Sequence, residues 1–377
     1  MINPEKFYTL LKKNDIDFFT GVPDSLLKNF CAYITDNVSK KNNIIAANEG
    51  GAVALGAGYH LATGKVPLIY MQNSGMGNAT NPLLSLVDEK VYSIPMLLMI
   101  GWRGEPGIKD EPQHIKQGEV TTALLDAMDI PYEIIPDDFE KAIHIIEKSI
   151  KYVKEKNRPL AFIIRKNLFE PYELKNKIQT NFEMSREDAI KIIVDSLSKA
   201  DIIVSTTGKT SRELFEYREK LNQGHNNDFL TVGSMGHASQ IALGIALQKP
   251  NRQIYCFDGD GAAIMHMGSL GIIGAAAPKN FKHIIFNNGA HDSVGGQLTI
   301  GFNINLTKIA ESFNYTYAKK IQKIEDLKII CKKMKTIIGP AFFEIYVNKG
   351  SRGDLGRPNK SPKENKINFI KFLMGID

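Results

Sequence analysis

The fold is decided by Ile254-Tyr255-Cys256-Phe257-Asp258-Gly259-Asp260-Gly261, in which an apolar run of strand length enters a turn of alternating aspartates and glycines. The small residues from Ala262 to about Ala277 predict a helix directly after this turn. In a parallel sheet, such a turn offers free N–H groups and the positive end of a helix dipole, which favour a bound phosphate. Asp260 would repel that phosphate unless a cation lay between them. The stretch therefore predicts a phosphate site that includes a metal ion.

A second polar turn, Asn287-Asn288-Gly289, follows a predicted strand that ends at Phe286. It places amide oxygens at the carboxyl edge of what should be a neighbouring strand. Mg²⁺ prefers about six oxygen ligands and usually completes its shell with phosphate and water, so this half-site implies a bound diphosphate. The alternative is two unrelated turns, because Asp-Gly and Asn-Gly are frequent turn formers.

Around these turns, apolar runs of strand length alternate with stretches of helical period, which predicts an α/β chain with mainly parallel sheets. The predicted strands are Val66 to Met71, Met96 to Ile100, Leu160 to Ile164, Ile202 to Val204, Ile254 to Phe257, Ile284 to Phe286 and Ala341 to Val347. A polar stretch that contains Pro171 interrupts the pattern near the middle and predicts a linker. We expect one domain at residues 1–168, the linker at 169–186 and a second domain at 187–377.

The two halves carry a faint internal repeat. Ala54-Leu55-Gly56-Ala57 precedes one strand, as Ala242-Leu243-Gly244-Ile245 precedes the other. Each strand then enters a glycine turn, which reads Gln72-Asn73-Ser74-Gly75 in the first half and Asp258-Gly259-Asp260-Gly261 in the second. The repeat predicts two related doubly wound parallel-sheet domains that present equivalent loops with different chemistry.

Composition argues against several classes of protein and site. The 377 residues carry a formal net charge of +6, and the basic residues form no concentrated basic and aromatic run of the kind that binds nucleic acid. The sequence has neither a secretory pattern nor an apolar run of membrane-spanning length. Cys31, Cys256 and Cys331 lie far apart, which disfavours a paired zinc or redox motif and predicts buried thiols. We expect a cytoplasmic protein.

The two polar turns together resemble the cofactor signature of the thiamine-diphosphate enzymes. Gly259-Asp260-Gly261 stands about one helix and one strand before Asn287-Asn288, as in that family. The resemblance implies that Asp260 and Asn288 bind Mg²⁺ through their side chains and that Ala290 supplies its carbonyl oxygen. It further implies that the first domain binds the pyrimidine ring of thiamine diphosphate and that the second domain binds its diphosphate, with Gly259, Gly261 and Ala262 in contact.

A carboxyl group that engages the pyrimidine ring is the other requirement of this family. Asn48-Glu49-Gly50-Gly51 leads into a small-residue helix from Ala52 to Ala62, which resembles the family's activating glutamate. Glu49 is therefore the candidate. The alternative is an ordinary acid at a helix N-terminus, stabilised by the helix dipole, and both interpretations can hold together.

Two further loops resemble cofactor-binding segments. Ser234-Met235-Gly236 is similar to the segment whose apolar residue wedges between the cofactor rings, although core packing is a serious alternative for any methionine. Thr207-Gly208-Lys209-Thr210 follows a predicted strand, so Gly208 and Lys209 are candidates for further diphosphate contacts. A nucleotide-binding loop is excluded here, because its first glycine would fall at Ile203.

The length of the chain leaves room for two cofactor-binding domains without the central third domain of many relatives. Within the family, the sequence resembles the short branch formed by phosphonopyruvate decarboxylases, with sulfopyruvate decarboxylases as near neighbours. The segments that carry this resemblance are Gly21 to Leu27, Asn48 to Gly50, Gln72 to Gly75, Asp110 to His114, Asn288 to Ser293 and Gly350 to Arg352. It implies decarboxylation of phosphonopyruvate to phosphonoacetaldehyde, and the alternative is decarboxylation of sulfopyruvate to sulfoacetaldehyde.

The substrate of such an enzyme carries two anionic groups and requires proton transfer at the reacting carbon. His114 and His291 are the candidates for proton transfer, although each could be an ordinary loop residue. Asp24 or Ser25 could cap a helix whose N–H groups bind the anion, and Ser351 with Arg352 offers a hydroxyl group and a guanidinium fork. The cationic alternatives are Arg103, Lys109 and Arg357.

Two other classes stay open at this point: a thiamine-dependent ligase or synthase, and a noncatalytic cofactor-binding relative. The short chain argues against the first class. The joint presence of Glu49, Asp260 and Asn288 argues against the second. Because the family's sites lie between two subunits, the resemblance also implies at least a homodimer.

Overall fold

Runs of aliphatic and aromatic residues form the strands of two parallel sheets in the computed structural model, which describes residues 1–376. The chain divides into two units. The first unit contains Met1–Lys177 and Ser293–Gln297, and the second contains Ile178–Asp292 and the residues from Leu298 onwards. The change from one unit to the other at Lys177 falls within the segment predicted as a linker.

The first unit is a six-stranded sheet with helices between its strands. Its strands are β1 (Phe19–Gly21), β2 (Asn43–Ile45), β3 (Leu68–Gln72), β4 (Leu97–Gly101), β5 (Tyr132–Ile134) and β6 (Leu160–Ile164). Its helices are α1 (Pro4–Lys13), α2 (Lys28–Asn37), α3 (Glu49–Thr63), α4 (Met76–Pro82), α5 (Pro112–Ala127) and α6 (Phe139–Lys156). A 3₁₀ turn at Asn73–Gly75 and a π-helical turn at Leu83–Val87 flank α4. All strand pairs are parallel, in the order β2-β1-β3-β4-β6-β5.

The second unit is built in the same way. Its strands are β7 (Ile202–Ser205), β8 (Asp228–Leu230), β9 (Ile254–Gly259), β10 (Phe281–Asn287), β11 (Tyr317–Ile321) and β12 (Ala341–Tyr346). Its helices are α7 (Arg186–Ser196), α8 (Lys209–Lys220), α9 (Ala238–Gln248), α10 (Asp260–Met265), α11 (Gly268–Ala276), α12 (Leu306–Ser312), α13 (Ile324–Lys333) and α14 (Pro362–Met374). The parallel strands lie in the order β11-β12-β10-β9-β7-β8.

The two sheets have one strand order in common. When the strands of each unit are numbered from one to six along the chain, both sheets read 2-1-3-4-6-5. The third strand of each unit is β3 or β9, the two strands whose turns the sequence repeat had paired. The predicted fold class, two related parallel α/β domains, is confirmed.

Each sheet is covered by apolar side chains on both faces. Along β3, Leu68 and Tyr70 pack into one buried cluster, and Ile69 and Met71 pack into another on the opposite face. Residues of β9 divide between two clusters in the same way. Because alternate strand residues point to opposite faces, a continuous apolar run is the pattern expected of a strand buried on both sides.

One element differs from its prediction. The helix expected from Ala262 to about Ala277 is interrupted after Met265, and α10 and α11 replace it. His266 leaves the helical region, with φ of −130° and ψ of 50°, and its ring packs against that of His237 with centroids 4.4 Å apart. The apolar composition continues through this break, so composition alone does not reveal it.

The three cysteines are buried and unpaired, as predicted. Burial raises the pKa of the Cys331 thiol to about 11, and it raises the pKa of Cys31 and of Cys256 as well. Among residues 1–376, we find no helix with the length and apolar character needed to cross a lipid bilayer.

Candidate active site

Asp260 occupies the centre of the predicted metal site. It is the first residue of α10, directly after β9, and it is buried. The hydroxyl group of Thr299 donates a hydrogen bond to Asp260 Oδ2. Burial raises the pKa of Asp260 to about 6, although Thr299 and the backbone N–H groups of Asp260, Asn288 and Gly261 act in the opposite direction. The carboxylate is therefore held among donors and has little contact with water.

The backbone at Gly301 approaches this carboxylate closely. A Cβ atom at Gly301 would lie 2.5 Å from Asp260 Oδ2 and 2.7 Å from Asn287 Oδ1. Any residue with a side chain would therefore push Asp260 or the loop out of place. The segment from Thr299 to Gly301 forms one wall of the site.

Asn287 and Asn288 have different roles although they are adjacent. Asn287, the last residue of β10, is fully buried and donates to Gly301 O over 2.9 Å and to Glu344 Oε1 over 2.7 Å. It therefore fixes the wall. Asn288 lies beyond the strand, where its Oδ1 accepts from Ala290 N over 3.0 Å and its Nδ2 donates to Asp292 Oδ2 over 2.7 Å.

This half of the site offers hard oxygen donors. The donors are the Asp260 carboxylate, the Asn288 amide oxygen and the Ala290 carbonyl group, a set that suits a divalent cation with oxygen ligands. A Cβ atom at Gly259 would meet nothing within 4 Å, so the turn is open at that point. The residues present therefore fit a metal ion and a diphosphate group.

His291 lies beside the same turn. A Cβ atom at Gly261 would be 3.2 Å from His291 Cε1, which places the imidazole against the backbone between Asp260 and Ala262. Burial lowers the pKa of His291 to about 4, with Asp292 acting in the opposite direction. The ring is therefore neutral at pH 7.

The loops after β7 and β8 lie at the carboxyl ends of their strands, of which only β7 was predicted. Gly208 precedes α8 with φ of +94°, and Lys209 is half-buried, where burial lowers its pKa. Ser234 has φ of +50°, which is uncommon for a residue with a side chain and is frequent at functional sites. Met235 is half-buried, and a Cβ atom at Gly236 would lie 3.0 Å from Ala262 O. This last contact brings the loop after β8 next to the turn after β9.

Glu49 is placed in the first unit at the start of α3. Asn48 caps this helix by accepting from Gly51 N over 2.8 Å, so the helix begins at Glu49, three residues before the predicted start at Ala52. The Glu49 carboxylate is buried, and Asn78 Nδ2 donates to its Oε2 over 2.7 Å. A Cβ atom at Gly75 would lie 2.3 Å from Glu49 Oε1. The turn after β3 thus surrounds Glu49, as the wall at Gly301 surrounds Asp260.

Asp24 and Ser25 follow β1 in the first unit. Asp24 Oδ2 accepts from Leu26 N over 2.7 Å, and its Oδ1 accepts from Gln72 Nε2. Burial raises the pKa of Asp24. Its contacts are those of a capping residue that also ties the loop after β1 to the end of β3.

Arg103 connects Ser25 to the loop before α5. Ser25 Oγ accepts from Arg103 Nη1 over 2.8 Å, and Arg103 Nε donates to Asp110 Oδ2 over 2.8 Å. Burial acts to raise the pKa of Asp110, but the hydrogen bonds from Arg103 and from two backbone N–H groups lower it overall. His114 follows in the first turn of α5 and is half-buried.

Ser351 and Arg352 are exposed in the second unit. The guanidinium group of Arg352 pairs with Glu187 Oε2 at 3.0 Å, with Asp354 Oδ1 at 3.1 Å, and with Glu216. Three carboxylates therefore surround the group that the sequence proposed for the phosphonate.

Several residues at these sites were not identified from the sequence. Thr299, Asp292 and Gly301 surround Asp260 and Asn288, and Asn78 holds Glu49. Asp292 stands in the segment that carries the resemblance, which was its only signal. The other three come from distant positions, and nothing in their local sequence marks them.

Known families and proteins match this chain over most of its length. Residues 5–128 match the family described as thiamine pyrophosphate enzyme, N-terminal TPP binding domain, and residues 206–345 match thiamine pyrophosphate enzyme, C-terminal TPP binding domain. The chain is 31% identical over 364 residues to the phosphonopyruvate decarboxylase of Streptomyces viridochromogenes, covering 91% of this chain and 89% of that protein. A similar match, 31% over 363 residues, covers 91% of this chain and 88% of the phosphonopyruvate decarboxylase of Streptomyces hygroscopicus. The sulfopyruvate decarboxylase of Methanosarcina acetivorans is 27% identical over 399 residues, with 99% and 98% covered.

Proposed function

The chain belongs to the thiamine pyrophosphate enzymes, in the family of the phosphonopyruvate decarboxylases, and from this premise we propose its reaction. It removes carbon dioxide from 3-phosphonopyruvate without oxidation and releases 2-phosphonoacetaldehyde. The observation that carries the proposal is the donor set of Asp260, Asn288 and Ala290 beside an open glycine turn, in a chain whose relatives match it nearly end to end.

Mg²⁺ and thiamine diphosphate are the proposed cofactors. Asp260 and Asn288 would bind the ion through their side chains, and Ala290 would bind it through its carbonyl group. Gly259, Gly261 and Ala262, together with Gly208 and Lys209, would hold the diphosphate. The support is the hard oxygen chemistry of these donors and the half-buried ammonium group of Lys209 at the start of α8.

Glu49 is proposed to hold the pyrimidine ring, and Ser234, Met235 and Gly236 to support the cofactor rings. When bound, thiamine diphosphate supplies the electron sink that decarboxylation of a 2-oxo acid requires. The protein's own part is to keep the Glu49 carboxyl group buried and fixed, which Asn78 and the close approach of Gly75 achieve.

Proton transfer and substrate binding are proposed for residues at the edges of these sites. His114 and His291 are the candidates for moving a proton at the reacting carbon. Ser25 lies beside Arg103, and Ser351 directly precedes Arg352, so each pair offers a hydroxyl group and a guanidinium group that could bind the substrate's anionic ends. Asp24 would position Ser25 by capping its loop.

We further propose at least a homodimer, in which the Glu49 site of one copy faces the Asp260 site of its partner. The support is the family resemblance, because the sites of these enzymes lie between two subunits. Sedimentation analysis of the purified protein tests this state, and a monomer that is fully active would contradict it.

The test of the reaction is carbon dioxide release by the purified protein with thiamine diphosphate and Mg²⁺. Phosphonopyruvate, sulfopyruvate and pyruvate are offered side by side, and the highest kcat/KM is expected for phosphonopyruvate. Sulfopyruvate is the second candidate, because the sulfopyruvate decarboxylase of Methanosarcina acetivorans matches nearly the whole chain. A preference for sulfopyruvate would keep the cofactor assignment and replace the substrate.

A further inference from the structure

Asp292 lies four residues after Asn288, in the loop that follows β10. Only 7% of its side chain is exposed. Its Oδ2 atom accepts two hydrogen bonds, from Asn288 Nδ2 over 2.7 Å and from Gly350 N over 2.8 Å. The carboxylate therefore ties the loop that carries Asn288 to the segment that follows the neighbouring strand, β12.

The contact with Asp292 decides which way the Asn288 amide faces. An ionised carboxylate only accepts hydrogen bonds, so the amide must present its NH₂ group to Asp292. The amide oxygen then points away from Asp292, and it accepts from Ala290 N over 3.0 Å. A flipped amide would place two oxygens against each other and present an NH₂ group, which cannot ligate a cation, in place of the oxygen.

A buried charge network holds Asp292 itself. Arg186, at the start of α7, lies with Nη1 4.0 Å from Asp292 Oδ2. Arg186 Nε and Nη2 donate to Glu213 Oε2 and Oε1 of α8, over 2.7 Å and 2.8 Å. Because Arg186 and Glu213 are themselves buried, the position of Asp292 is set by two helices as well as by its own loop.

We propose that Asp292 is a positioning residue that fixes the Asn288 amide oxygen towards the divalent cation. This inference rests on the proposed function, because it takes Asn288 as a metal ligand. Side chains that orient a metal ligand through a hydrogen bond typically change metal affinity by about 10–100-fold when they are removed. Asp292 does not touch the ion, the cofactor or the substrate in this scheme.

The test measures the binding of thiamine diphosphate by calorimetry at increasing Mg²⁺ concentration, without any turnover. Asp292→Ala is expected to raise the Mg²⁺ concentration at half-saturation by about 10–100-fold. Asp292→Asn is expected to restore most of the affinity, because its amide oxygen can still accept from Asn288 and from Gly350. If the alanine variant does not fold, Asp292→Ser replaces it, since the shorter hydroxyl group cannot span the same distance.

The control is Asp195→Ala, which removes an exposed carboxylate of the same unit that, among residues 1–376, accepts only from Tyr217 Oη, over 2.6 Å. Its Mg²⁺ half-saturation should equal that of the wild type. The proposal would be overturned if Asp292→Ala kept the wild-type Mg²⁺ half-saturation but had a lowered melting temperature without cofactor. The residue would then be merely structural. Failure of the wild type to bind thiamine diphosphate with Mg²⁺ would instead overturn the cofactor assignment.

Discussion

Glu49 and Asp260 are buried carboxylates that the protein holds in different ways. Glu49 stands at a helix N-terminus and accepts from the exposed Asn78 side chain. Asp260 also begins a helix, but it lies among backbone N–H groups and the Thr299 hydroxyl group. Removing a buried carboxylate leaves such donors unsatisfied, so the gentlest substitutions at both positions are the corresponding amides.

Glu49→Gln tests the role of this carboxyl group in turnover. The amide oxygen of glutamine can still accept from Asn78, so we expect a folded protein that binds thiamine diphosphate. Its kcat should fall by roughly 10²–10⁴-fold, the range typical of a lost acid–base group. Steady-state kinetics and a cofactor titration on the same preparation check both expectations. Undiminished kcat would leave Glu49 as an ordinary acid at a helix N-terminus.

Arg352→Ala tests whether this guanidinium group binds the substrate or only its three carboxylate neighbours. If Arg352 binds the phosphonate, KM should rise by about tenfold or more, since a charge-assisted hydrogen bond is lost. The affinity for thiamine diphosphate should stay within about twofold, because the cofactor is held by other residues. Arg352→Lys keeps the charge without the fork and should give an intermediate KM. Unchanged KM with a lowered melting temperature would assign Arg352 to stability alone.

Strand ends and the loops that follow them organise both sites. Apolar runs predicted β3, β4, β6, β7, β9, β10 and β12 to within a few residues, because a strand buried on both faces has a continuous apolar sequence. Five strands were not predicted. β1, β2, β5 and β8 have only three residues each, too few for a period to be read, and β11 has two lysines in its middle and forms no apolar run. Local sequence predicted that the motif residues of β9 and α10 lie at a strand end and in the helix start that follows it. The wall at Thr299 to Gly301 was not predicted, because tertiary folding alone brings it to Asp260.

Gly301→Ala tests the importance of that wall. The added methyl group would lie 2.5 Å from Asp260 Oδ2, so the carboxylate or the loop must shift. We expect the Mg²⁺ concentration at half-saturation of cofactor binding to rise by about tenfold or more. Gly353→Ala is the control, because a Cβ atom there meets nothing within 4 Å. Equal Mg²⁺ dependence in the two variants would show that the site tolerates displacement at Gly301.

At the scale of the whole molecule, one strand order serves two different tasks. The third strand of each unit ends in a turn that holds a carboxylate with a proposed function, but the partner groups differ. In the first unit the turn packs around Glu49, and in the second the turn itself carries Asp260. The repeat predicted two related parallel-sheet domains but not their strand order, and only the motifs suggested how the chemistry is divided between the units.

Cofactor binding should stabilise the protein only when both components are present. At a concentration about 100 times Kd, a ligand adds about 2.7 kcal/mol to the free energy of unfolding. For units of this size, that corresponds to a rise in melting temperature of roughly 5–10 °C. Thermal scans with thiamine diphosphate and Mg²⁺ should show this rise, and scans with Mg²⁺ alone or with thiamine diphosphate and a chelator should not. An equal rise in the chelator would mean that no metal is required.

The buried thiols allow the transient opening of each unit to be followed separately. Cys31 lies in the first unit, whereas Cys256 and Cys331 lie in the second, and burial raises the pKa of all three. A thiolate-selective reagent at neutral pH can therefore label these positions only when the surrounding unit transiently opens. Mass spectrometry of the labelled peptides would time the opening of the two halves separately in a single sample. A comparison with and without thiamine diphosphate would show in which unit the cofactor slows labelling, and it would need no mutation.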